Sequence, residues 1–254
     1  MGILQKFRER FDLEGLKKSN DIFTSIEGHE DLKEVLNLSL LSGDPLSICI
    51  CGDPGTGKTS MIKLIYENSK NAVWIDGSRT MNTSAGIREF LFVNKNKKII
   101  CVDEISRMAP QNQEILLNLL EGGTITDIKA TYGHRHAKFE GLKLYASANN
   151  PEKLIDPLRS RLDMYQLPPI TFEQFRRIGF KVHEDFADKD LLLSAIEGVW
   201  HILKSRDIRD LNKIMKYAVQ SKADIDTLIE TKLRYKVKSK RQYIREQREL
   251  EYQS

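Results

Sequence analysis

Residues 52–59 read GDPGTGKT, three glycines ahead of Lys58 and Thr59. A glycine backbone can wrap an anion where side chains would hold it off, and the N–H groups of such a loop, with the first turn of a helix, then face that anion. Gly52, Asp53, Pro54, Gly55, Thr56 and Gly57 therefore form a candidate phosphate cradle that continues into Ser60. Lys58 is placed to pair with β- and γ-phosphates, and Thr59 to set its hydroxyl on Mg²⁺. Forty-five residues after Lys58 the run IICVDE ends in Asp103 and Glu104. One carboxylate suits the metal and its water shell, the other the polarisation of an attacking water. LKLYASANN ends near Asn149, a polar group for the γ-phosphate or that water, although an Asn there could equally cap a loop. DPLRSRLD supplies Arg159 and Arg161, which cannot be buried cheaply and so face solvent, a neighbour or a phosphate. SRDIRDLNK adds Arg206 and Arg209, three apart on one helical face.

A second cluster lies in TDIKATYGHRHAKFEG, residues 126–141. Two β-type runs flank a glycine, with Lys129, Tyr132, His134, Arg135 and Lys138 near the bend. One stackable ring among cations suits a grip on a nucleic-acid backbone that does not read sequence. A protein-docking hairpin is the alternative. His134 and His136, with no Cys or third ligand beside them, do not make a metal set.

These groups need a scaffold that brings them together. LSICIC, NAVWID, KKIICVDE and LKLYASA are short apolar runs, and helical periodicity fills the gaps at 59–69, 84–93 and 109–121, the last with Ile115, Leu116, Leu119 and Leu120 on one face. An earlier helix is expected from near Ser25 to Gly43. Strands apolar on both faces and separated by helices imply βαβ units and a covered parallel sheet, so the core is α/β. After residue 168 only helices are expected, at 172–183, 189–204, 207–220 and from 224 onward. The sequence thus divides into an N-terminal helical segment (1–20), an α/β core (21–168) with the hairpin inserted at 124–144, a small all-α unit (169–222) and a basic tail (223–254).

With 254 residues, 40% apolar and 30% charged, the chain can bury a real core. No run of 18 apolar residues appears, and the opening MGILQKFRERFDLEGLKK is amphipathic and charged, which leads us to expect no membrane partner and a cytoplasmic location. Cys49, Cys51 and Cys101 sit inside apolar runs and read as reduced core thiols. The net charge of +4 is small, but residues 232–248 carry eight Lys or Arg against one Glu, the footprint of a polyanion partner or of a solvated tail.

In this order and spacing the parts resemble the AAA+ ATPases over about residues 20–222. IEGHEDLKEVL is similar to the helix before the P-loop, GDPGTGKT and IICVDE to Walker A and B, SANN to sensor 1, DPLRSR to the arginine-finger segment and SRDIRDLNK to sensor 2 in a helical lid. A hairpin between Walker B and sensor 1 resembles the pre-sensor-1 branch, which includes RuvB-type Holliday-junction motors, MCM helicases and MoxR-type remodelers. The RuvB arrangement is the most similar. Two departures are Asp53, where Pro is usual, and the roughly 30 residues after the lid, too few for the winged-helix domain of RuvB.

The resemblance implies ATP and Mg²⁺, with Asn149 as sensor 1 and Arg209 as sensor 2 on the γ-phosphate in cis. Arg161, or failing it Arg159, is implied as a finger reaching the ATP of the next copy in a ring, a hexamer of this chain. It also implies a DNA-acting motor for branch migration, unwinding or replication. The alternative is a MoxR- or clamp-loader-like remodeler of a protein partner, with an adaptor docked on the hairpin. A nucleotide switch without hydrolysis would not need Glu104. GSRTMNTSAGIREF lacks the aromatic, apolar, Gly loop of polypeptide-threading relatives.

Overall fold

The computed structural model describes residues 21–78, 83–129, 133–217 and 219–235. The helix expected in 1–20, Tyr132 at the bend and most of the basic tail lie outside the described residues. Contacts divide the chain into two units, the first ending at Pro169 and the second beginning at Ile170.

The first unit runs α1 (Glu30–Leu41), β1 (Leu46–Cys51), α2 (Lys58–Asn68), β2 (Ala72–Asp76), α3 (Ser84–Val93), β3 (Ile99–Asp103), α4 (Pro110–Gly122), β4 (Thr124–Lys129), β5 (Gly133–Lys138), β6 (Lys143–Ala148), α5 (Asp156–Ser160) and β7 (Asp163–Gln166). Five strands form one parallel sheet in the order β2-β3-β6-β1-β7. Strand alternation sends successive side chains to opposite faces. Val73, Ile75, Ile100, Val102, Leu144 and Ala146 meet α3 and α4 through Ile87, Leu91, Ile115, Leu116 and Leu119. Ile48, Ile50, Cys101 and Tyr145 meet α1 and α2 through Leu36, Met61, Ile62 and Ile65. The sheet is apolar on both sides because helices cover both. All three cysteines are free and buried.

Two elements of this unit, α1 and β7, differ from the sequence expectation. α1 begins at Glu30, because Gly28 and His29 adopt left-handed backbone (φ 78° and 60°) that no α-helix tolerates. β7, DMYQ, lacks an apolar run; it forms because the free edge of β1 accepts it, with Ile48 opposite Asp163 and Cys51 opposite Gln166. β4 and β5 form a separate antiparallel hairpin, Thr124 opposite Lys138, packed on the first core through Ile125 and Ala137.

The second unit is helical: α6 (Phe172–Val182), α7 (Lys189–Glu197) continuing into a π-turn at Gly198–Ile202, α8 (Ile208–Met215) and α9 (Lys222–Arg234). Thr171 and Gln174 form a reciprocal capping box that starts α6. Phe175, Leu192, Ile196, Leu211, Ile214, Ile225 and Ile229 make its core, so the first part of the stretch read as a tail packs with these helices. α8 stops at Met215 rather than near 220, and Arg206 precedes its cap, Asp207, instead of sharing a helical face with Arg209.

One buried cation ties α1 to the sheet. Lys143 Nζ, 7% exposed, donates to the carbonyls of Ser39 (2.7 Å), Leu40 (3.1 Å) and Ser42 (2.5 Å) at the end of α1. Those carbonyls have no partner within the helix, and the negative end of its dipole favours a cation. Burial pulls the Lys143 pKa down, against the nearby Asp44 charge. Lys143→Met keeps the stem but removes every donor; urea unfolding should show a loss of about 2 kcal/mol.

Candidate active site

The phosphate cradle leaves β1 at Cys51 and enters α2 at Lys58. Gly55 and Gly57 hold φ of 85° and 93°, a region in which L side chains are strained, and Gly57 is the residue from which α2 starts. No side chain caps α2, so its first-turn N–H groups keep their capacity for an anion. Thr56 Oγ1 closes the loop on the Asp53 carbonyl at 2.8 Å, and Lys58 Nζ donates to the same carbonyl at 2.7 Å. Lys58 is 5% exposed. Burial lowers its pKa, opposed by Asp53, Asp103, Cys51 and Glu104. A buried ammonium is a standing attraction for a phosphate, which would relieve that cost. Asp53, Pro54, Thr59 and Ser60 are exposed around it.

The register of the central strands brings the second half of the site alongside. β3 pairs with β6 and β6 with β1, so Asp103, Ala148 and Cys51 end at one edge of the sheet. Thr59 Oγ1 donates to Asp103 Oδ1 at 2.9 Å, joining the two residues expected to hold the metal. Ser147 Oγ donates to that same oxygen at 2.5 Å and accepts the Glu104 N–H at 2.9 Å. Glu104 takes left-handed backbone (φ 51°, ψ 45°) and its carboxylate stands 26% exposed. Asn149 Nδ2 donates to Glu104 Oε1 at 3.0 Å and Arg107 Nη1 to Oε2 at 2.8 Å. Lys58, Thr59, Asp103, Glu104 and Asn149 thus converge. A magnesium triphosphate fits this donor set: one hydroxyl and one carboxylate, with phosphate oxygens and water completing the shell.

Sequence reasoning missed three participants. Ser147 lies inside the quoted SANN run, yet nothing in the run marks its hydroxyl as a partner of Asp103. Arg107 falls three residues after Glu104, a spacing that could have been noticed. Gly77 approaches the end of β3 so closely that a Cβ there would stand 2.5 Å from the Glu104 carbonyl oxygen and 2.9 Å from that of Asp103. Its N–H donates to the Asp103 carbonyl at 2.7 Å.

The remaining candidates lie elsewhere. Arg161 follows α5 and gives Nε and Nη2 to Glu121 Oε1 at 3.2 and 2.9 Å. Because Asp163 lies opposite Ile48, Arg161 sits toward the amino end of β1, whereas the cradle leaves its carboxyl end. At about 3.3 Å per residue the separation is on the order of 15–20 Å. Arg159 pairs with Glu152 (3.0 Å) and Asp156 (3.1 Å). Arg209, in the second unit, is chelated by its own helix cap, Asp207, with contacts of 2.7 to 2.9 Å. Arg206 stacks over Trp200 at 5.6 Å.

In the hairpin, Arg135 is opposite Asp127 in mid-strand rather than at the bend. It pairs with Glu89 of α3 at 2.7 Å and covers the Phe92 ring at 4.5 Å, so it docks the hairpin on the core instead of standing out as a contact cation. Lys138 is exposed and pairs with Glu140 at 2.8 Å. The side chains of Lys129 and His134 lie outside the described residues, although their backbone pairs within the hairpin.

The sheet, its strand order and this edge have the P-loop AAA+ fold. Residues 48–169 match the family described as ATPase family associated with various cellular activities (AAA). Similar curated proteins include the minichromosome maintenance protein MCM of Saccharolobus solfataricus, 28% identical over 225 residues that cover 78% of this chain and 32% of that protein. The DNA replication licensing factor Mcm6 of Anopheles gambiae is 27% identical over 184 residues, 58% of this chain and 22% of that one. The chain therefore spans a third or less of the length of these two relatives. Among solved structures, a point mutant of RuvB from Thermotoga maritima superposes with a TM-score of 0.58 at 19% identity, covering 81% of this chain and 71% of its own.

Gly77→Ala should push the Asp103–Glu104 backbone aside. We expect an unfolding free energy lower by about 1–3 kcal/mol in a denaturant titration, with ATP turnover falling by a larger factor than ATP affinity.

Proposed function

We propose that the chain is the ATPase core of a ring-forming motor that acts on DNA. The convergence of Lys58, Thr59, Asp103, Glu104 and Asn149 at one sheet edge carries the reading. Lys58 and the first turn of α2 would bind and orient the phosphates, and Thr59 and Asp103 would hold Mg²⁺. Bound there, the metal would draw charge from the phosphates and leave them open to attack. Glu104 takes the proton of the attacking water, and Asn149, already on its carboxylate, orients that water. Each Glu104 oxygen now accepts one donor, from Asn149 or Arg107, and keeps a lone pair with which to accept the water.

The second half of the proposal concerns assembly. Arg161 lies at the wrong end of β1 for its own cradle, so as a finger it serves a neighbouring copy, and the functional unit is a ring, hexameric by the resemblance. Arg209 is proposed as the sensor-2 residue that the resemblance implies, with Asp207 the partner it would give up. DNA as substrate is supported by the relatives that are named for DNA replication. One observation favours a protein partner instead: Arg135, the central cation of the hairpin, is engaged with Glu89 and the Phe92 ring rather than offered to a phosphate backbone. DNA-stimulated turnover that weakens steeply with salt supports the motor. Its absence, with stimulation by a protein partner, supports the remodeler.

Glu104→Gln should bind ATP with unchanged affinity and lower turnover by about 10²–10⁴, measured by equilibrium titration and single-turnover hydrolysis. Arg161→Ala should lower turnover by about 10³ or more without loss of ATP binding. Mixed with Glu104→Gln chains it should regain activity, because some interfaces then hold an intact Glu104 and an intact Arg161; a mixture no more active than its parts would argue against a shared site.

A further inference from the structure

Lys143, Tyr145 and Ser147 alternate along β6 and so point to one face of the sheet, and Asn149 follows just past its end. All four carry polar groups, in a strand whose intervening positions, Leu144, Ala146 and Ala148, are fully buried and apolar. Lys143 holds the end of α1, and the Tyr145 hydroxyl is hydrogen-bonded to Ser39 of α1 at 2.8 Å. Asn149 reaches Glu104. Ser147, between them, is 1% exposed.

A buried hydroxyl without partners is costly, and Ser147 has two of defined polarity. Its single proton goes to Asp103 Oδ1, so its oxygen is left to accept the Glu104 N–H. Thr59 donates to the same Oδ1 from the other side. Two hydroxyls on one oxygen fix the rotation of the carboxylate, and the bond to Glu104 helps hold a left-handed backbone that disfavours any residue but glycine.

We infer that Ser147 is a positioning residue: it orients the Asp103 carboxylate for a divalent cation and sets the adjacent Glu104 in register with it. One hydroxyl, anchored on a strand that is itself pinned to α1, thereby couples the metal-holding and water-activating carboxylates. Residues behind the ligands of a metal commonly set its affinity in this way. The inference rests on the magnesium-nucleotide reading of the site.

The test is equilibrium binding of a fluorescent, non-hydrolysable ATP analogue to the full chain, in excess Mg²⁺ and in EDTA. Ser147→Ala should lower the ratio of the two affinities about tenfold or more while leaving the EDTA value unchanged. Ser147→Thr, which keeps the hydroxyl, should retain the ratio. A wild-type ratio in Ser147→Ala would overturn the inference, as would equal losses in both buffers, which would make Ser147 a scaffold of the loop rather than of the metal carboxylate. If the unmodified chain bound the analogue in neither buffer, the nucleotide reading would fail first and this inference with it.

Discussion

Asp103 is the point through which the site is built. Its Oδ1 receives hydroxyls from Thr59 at the start of α2 and from Ser147 on β6, while its backbone carbonyl receives Gly77 from the end of β2. Three elements far apart in sequence are therefore registered on one residue, two through its carboxylate and one through its backbone carbonyl. Parallel pairing of β3 with β6 and of β6 with β1 makes this possible, since it brings the carboxyl ends of all three strands to one edge. The polar edge, in turn, depends on a sheet sealed by helices on both faces.

The charged groups of the site, and the two arginines proposed to join it, are each engaged rather than left open. Lys58 rests on a loop carbonyl, Glu104 on Asn149 and Arg107, Arg161 on Glu121 and Arg209 on Asp207. Arg161 and Arg209 are more than half exposed, where an ion pair is worth little. A triphosphate, with its higher charge, is a stronger partner for an arginine than a surface carboxylate. Each pair can thus break on binding at small cost, and each keeps its side chain ordered until then.

Much of this was legible in the sequence. The cradle, Asp103, Glu104 and Asn149 are marked by local patterns of glycine, apolar runs and terminal polar residues, and local patterns survive folding when they sit at strand ends. What could not be read depends on distant partners. β7 has no apolar signature and exists because β1 offers it an edge. Arg135 looks like a tip cation until Glu89, 46 residues away, is brought beside it. The role of Ser147 follows from a contact across 44 residues, and a serine in a strand carries no label for it. Helix ends failed where backbone rather than side chain decides, as at Gly28 and His29 before α1.

The central claim is that phosphates bind at the start of α2 and that Arg161 of a neighbouring copy completes the site. An electron-microscopy map of the assembled chain with Mg²⁺ and a non-hydrolysable ATP analogue tests both at once. The account predicts γ-phosphate density between Lys58, Asn149 and an arginine of the adjacent copy, with that arginine released from Glu121. Nucleotide in that pocket with every Arg161 still on its own Glu121, or a pocket empty under saturating analogue, would contradict it.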